Sequence, residues 1–84
     1  MNKSDFEIRA LVEHITQKEL LDFYEAFKQV TGYSMESPLV TEEYLRENRD
    51  QIIVATQALL SAKLSKKGID KIISVFEEAT EFKK

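Results

Sequence analysis

The chain has 84 residues, a net charge of −3 and a pI of about 5.2; 43% of its residues are hydrophobic and 32% charged. That length fits one domain spanning 1–84, with enough apolar material for a core and too much for a disordered chain. The acidic balance argues against a general phosphate binder, and a sequence without cysteine excludes disulfides, thiolate zinc sites and iron–sulfur clusters.

Two glycines and one proline leave few turns. Long helices are therefore favoured over many short strands. The first residues lack the apolar core of a secretion signal, and no apolar run approaches the roughly 20 residues of a membrane span. The expected location is the cytoplasm.

In chain order, Ser4 with Glu7 three residues on forms a capping-box pattern. Ile8, Leu11, Val12 and Ile15 then keep helical spacing, which predicts a helix over 5–15 with those four on its apolar stripe. Thr16 and Glu19 repeat the capping pattern, and Gly32 suits a left-handed C-terminal cap, so the spacing predicts a second helix over 17–31. Its apolar face is Leu20, Phe23, Tyr24, Phe27 and Val30. No glycine or proline separates the first two helices; one bent helix is the alternative, and the second capping box favours a break.

Residues 33–40 form the one real loop. Pro38 pushes Ser37 toward an extended conformation, and Met35, Leu39 and Val40 are expected to lie over the core. Thr41 caps the longest predicted helix, which runs to Leu64. Glu42 and Glu43 suit its N-terminal dipole, and Lys63 its C-terminal end. Leu45, Ile52, Ala55, Leu59 and Ala62 make one stripe, and Ile53, Leu60 and Leu64 a second. Ser65 caps a last helix predicted to end near Glu81, with Ile69, Ile72, Ile73, Phe76 and Ala79 on its face. Gly68 in its first turn weakens it, and Phe82 is a candidate last core contact.

The predicted fold is all-α: a compact four-helix domain made of two αα-hairpins, the third helix longest. The segment from Ile15 to Thr31 echoes Leu64 to Thr80, pairing Thr16 with Ser65, Leu20 with Ile69, Phe23 with Ile72, Phe27 with Phe76 and Thr31 with Thr80. This is either a duplicated hairpin or the resemblance of any two capped amphipathic helices.

No catalytic constellation assembles. His14 is the only histidine, and its neighbours supply no motif with it. Glu42, Glu43, Glu47 and Asp50 could bind a hard cation, but the interleaved Arg46 and Arg49 make a solvated, ion-paired face the simpler account. No cofactor or metal is expected, and the chain reads as a non-enzyme. The expected function is a protein-interaction module, a small regulator, inhibitor or immunity-type protein that binds a larger partner. The size and layout are similar to those of bacteriocin immunity proteins and phage-encoded inhibitors, an analogy of layout alone.

The partner-binding candidates are Tyr33, Met35, Leu39, Tyr44, Arg46 and Arg49, in the loop and the start of the third helix. Tyrosine, methionine and arginine are enriched at interfaces. The bland account is that these apolar residues close one end of the bundle. The alternative is a nucleic-acid-associated regulator using Lys63, Lys66, Lys67 and Lys71, against which stand the missing aromatic residues and the commitment of Ile69, Ile72 and Ile73 to the core. A homodimer is also admitted, because a helix of roughly 33 Å could overhang so small a domain.

Overall fold

A computed structural model describes residues 3–81 and contains four helices: α1 (Lys3–Val12), α2 (Gln17–Thr31), α3 (Glu42–Leu60) and α4 (Lys66–Ala79). The helices form two consecutive hairpins, α1–α2 and α3–α4, joined by residues 32–41. The hairpins pack across one another, α2 against α3 and α1 against α4, and α4 also contacts α2 and α3. The expected Phe82 contact lies outside the described residues.

Three of the four starts follow from local capping. The Thr16 backbone N–H donates to Glu19 Oε1 at 2.8 Å, and the Glu19 N–H returns a bond to Thr16 Oγ1 at 3.2 Å. The Tyr44 N–H donates to Thr41 Oγ1 at 3.1 Å, and the Gly68 N–H to Ser65 Oγ at 3.2 Å. Each cap satisfies an amide that the helix itself leaves unpaired. Ser4 does not cap: α1 already begins at Lys3, so Ser4 and Glu7 lie within the helix.

α1 ends three residues earlier than the sequence suggests. His14 adopts a left-handed φ of 61°, the Ile15 N–H bonds back to Ala10 O at 2.9 Å, and the His14 N–H bonds to Leu11 O at 3.0 Å. This is a Schellman cap with histidine in the position usually held by glycine. It turns the chain toward Thr16 and makes α1 and α2 separate helices.

The centre of the core is aromatic. Phe6 stacks on Phe23 with ring centroids 5.4 Å apart, and Phe76 approaches Phe23 at 5.5 Å and Phe27 at 6.3 Å. These four rings join α1, α2 and α4. α3 adds Leu45, Ile52 and Leu60, all buried. Thr56 is buried beside them; its hydroxyl donates to Ile52 O at 2.6 Å and so costs no unsatisfied group.

Two stripes differ from expectation. On α1 the buried residues are Phe6 and Ala10, while Ile8, Leu11 and Val12 face outward; of the predicted stripe only Ile15 is buried. At about 100° per residue, Phe6 and Ala10 lie on the side of the helix opposite the three aliphatics. The phenyl ring fills the aromatic cluster, and Ala10 is fully buried. Of the stripe predicted for the third helix, Leu59 is exposed, Ala62 is exposed in the turn beyond α3, and Thr56 takes a core position. α3 also stops at Leu60. Its 19 residues span roughly 28 Å, within the 32 Å long axis of the molecule, so it does not overhang.

Gly68 has a reason that the sequence alone did not show. It is buried against α2, and a Cβ there would overlap the Glu19 carboxylate that closes the capping box. The first turns of α2 and α4 therefore meet where one carries a glutamate and the other no side chain.

Candidate interaction surface

The loop candidates are brought to one end of the bundle, but most are occupied. Met35 and Val40 are buried in the core. Tyr33 and Tyr44 are half-buried and meet edge to face with ring centroids 6.0 Å apart. The Thr31 hydroxyl accepts from the Tyr33 N–H at 3.1 Å, fixing the start of the loop. Arg49 reaches α4: its Nε donates to Thr80 Oγ1 at 3.0 Å and its Nη2 to Glu77 O at 3.1 Å. It satisfies the C-terminal end of α4, where a cation is also favoured by the dipole. Arg46 is exposed, with its Nη2 3.6 Å from Glu42 one turn back. Leu39 is the exposed apolar residue of the set, 61% accessible at the loop tip.

The lysine candidates divide. Lys63 sits 3.7 Å from Glu25 of α2. Lys66, Lys67 and Lys71 line a surface groove of about 790 Å³ together with Glu13, Asp70 and Glu78. Carboxylates interleaved with the ammonium groups reduce the field that a phosphate backbone would meet. Among the described residues no group of three or more histidines and carboxylates is placed to hold a metal ion, and no helix is long and apolar enough to cross a membrane.

The largest apolar exposure lies elsewhere. Ile8, Leu11 and Val12 of α1 are 61%, 73% and 70% accessible. Ile8 and Leu11 form one wall of a groove of about 620 Å³, whose other wall is Gln17 and Leu20 of α2 and whose floor includes Ile15. Leu21, exposed on α2, continues the Gln17 row one turn further. Ser4 and Glu7 close one end of the groove and Thr16 the other. A surface of this kind is mostly apolar with a thin polar rim, as interaction grooves are.

Beside the far side of this groove, Lys3 bridges α1 to the loop. Its Nζ donates to Glu36 Oε1 at 2.5 Å, lies 3.9 Å from Glu7 and sits 4.9 Å from the centre of the Tyr24 ring. The hydrogen bond to Glu36 raises the Lys3 pKa above its usual value. The Tyr24 hydroxyl is buried with no hydrogen-bond partner. Burial, then the nearby charge of Glu7, push its pKa well above the ordinary phenol range.

The sequence reading assigned the α1 aliphatics to the core and so missed this surface. The available signal was that α1 carries apolar residues on two opposite sides, and a helix at the edge of a small bundle buries only one. Comparison of the chain with protein-family models, with curated proteins and with solved structures found no match to any of them.

Proposed function

We propose that this protein is a small cytoplasmic protein-interaction module that acts by binding, as a regulator, inhibitor or immunity-type protein does, and that its docking face is the α1–α2 groove. The observation that carries the reading is the exposure of Ile8, Leu11 and Val12 on a helix whose opposite side buries Phe6 and Ala10. Leaving three aliphatics in water gives up stabilisation of several kcal/mol that burial would supply, at about 25 cal/mol per Å². A partner recovers it. The loop end offers less, since Met35 and Arg49 are engaged within the chain and Leu39 stands alone. The lysine groove suits a nucleic-acid backbone less well, because Glu13, Asp70 and Glu78 share it.

Two single substitutions test the choice of face. Affinity capture with Leu11→Glu should lose the partner that the unaltered protein retains, and Leu39→Glu should keep it. The reverse pattern returns binding to the loop. A partner kept by both variants would end the assignment to either surface.

A further inference from the structure

We infer that the Ile8–Leu11–Val12 face is covered by the same face of a second copy of this chain, with the two α1 helices antiparallel across a twofold axis. The inference rests on the reading of the α1–α2 groove as a protein-docking surface, and it names the occupant.

Area is the first argument. Ile8, Leu11, Val12 and Leu21 are each more than half exposed. At roughly 100 Å² apiece they present on the order of 400 Å² of apolar surface. A standard interface buries about 800 Å² per partner, of which roughly 57–65% is apolar, so it needs on the order of 500 Å². One patch supplies most of that, and two identical patches supply both sides. The sum sits at the lower end for a stable complex, which predicts a dimer that forms with rising concentration.

Charge is the second argument. A twofold interface must be complementary to itself. At the end where Glu7 adjoins Ser4, Lys3 lies 3.9 Å from Glu7 but is shared with Glu36, which leaves one negative charge in excess among the three. Its other end closes at Thr16, two residues after which Lys18 holds Asp22 at 2.9 Å with its side chain 73% exposed. An ammonium group has three donors, so Lys18 retains capacity for a second carboxylate. Antiparallel pairing sets the Glu7 end of one copy against the Lys18 end of the other. Parallel pairing sets Glu7 against Glu7.

Sedimentation equilibrium from about 1 μM to 1 mM, the span of weak association, reads the result directly. The mass should climb from 9.7 kDa toward twice that value. Leu11→Glu should lower the association constant at least tenfold while helical circular dichroism, and melting at concentrations where both chains are monomers, stay unchanged, since Leu11 is exposed. Val54→Glu, on the exposed side of α3, should dimerise as the unaltered chain does. A mass constant at 9.7 kDa overturns the second copy. A photo-crosslinking amino acid in place of Leu11, used in the native cell, separates the two readings. An adduct of twice the mass supports the dimer. Adducts of other masses alone overturn the dimer and leave the docking face standing. No protein adduct overturns both.

Discussion

The helices that begin after Thr16 and Ser65 carry the same parts in the same order. Each opens on a hydroxyl cap, buries an aliphatic residue at its fourth position and places a phenylalanine in the aromatic cluster. Each closes on a threonine whose hydroxyl donates to that phenylalanine's carbonyl, Thr31 to Phe27 at 2.8 Å and Thr80 to Phe76 at 2.6 Å. The helices that precede them differ. α1 is 10 residues long and buries Phe6 and Ala10; α3 is 19 residues long and buries Leu45, Ile52, Thr56 and Leu60. The pair α2 and α4 shows what the fold requires. The contrast between α1 and α3 shows that the fold admits partners for them of quite different length and burial. α1 is short, edge-placed and apolar on both sides, and that is the combination expected of an element that stabilises the domain with one face and meets a partner with the other.

The sharpest way to break this division of α1 is to cut each face separately. Phe6→Ala removes a ring packed on Phe23 and Phe76 and should cost about 3–5 kcal/mol, a large share of the stability of a domain this size. Leu11→Ala should cost within about 0.5 kcal/mol, because its side chain is already in water. Urea unfolding midpoints decide it. Comparable losses at the two positions would mean that Leu11 belongs to the core.

Arg49 tests the second hairpin in the same way. Its two hydrogen bonds tie α3 to the end of α4, so Arg49→Met should cost about 1.5–3 kcal/mol. Arg46→Met, on the exposed side of the same helix, should cost under about 0.5 kcal/mol. Equal and small effects at both positions would mean that the bonds of Arg49 to α4 add no more than an exposed ion pair does.

These positions also mark what the sequence could and could not disclose. The starts of α2, α3 and α4 were legible to the residue because Thr16, Thr41 and Ser65 act on amides three residues away. Gly32 at the end of α2 was legible for the same reason, with a φ of 79° that suits glycine. The core face of α1 was not legible, since three aliphatics in register outweigh one phenylalanine in any periodicity, and only the position of Phe23 and Phe76 decides otherwise. The bonds of Arg49 to α4 are not legible in the sequence because its partners lie 28 and 31 residues away. The loop was half legible: Met35 and Val40 lie over the core as expected, while Leu39 does not.

Tyr24 follows Phe23 as Ile73 follows Ile72, so the echo between the hairpins pairs Tyr24 with Ile73, and the tyrosine places a hydroxyl where α4 has none. Tyr24→Phe removes that buried, unpartnered group and should stabilise the fold by about 1 kcal/mol at neutral pH. The pH dependence has a definite sign. A phenol whose folded pKa is raised is deprotonated first in the unfolded chain, so its contribution is intact below pH 10 and lost as pH rises further. Denaturant melts above pH 10 should therefore show the advantage of Tyr24→Phe widening. A gap that stays constant with pH would mean that the phenol titrates alike in both states.

The smallest expected effect sits at the turns that follow α1 and α3. His14 holds a positive φ that a Cβ resists, whereas the turn from Ser61 to Leu64 contains no positive φ. Glycine at position 14 relieves the left-handed strain and loses some unfolded-state restriction, so His14→Gly should gain about 0.5–1 kcal/mol. The same change in the other turn, Ala62→Gly, relieves nothing and should cost about 0.5–1 kcal/mol through chain entropy alone. Opposite signs in paired unfolding curves, with unchanged denaturant slopes, would show that the two hairpins turn by different devices. A loss at both sites would mean that the imidazole makes a contact worth more than the strain it endures, and position 14 would then be a residue kept for folding.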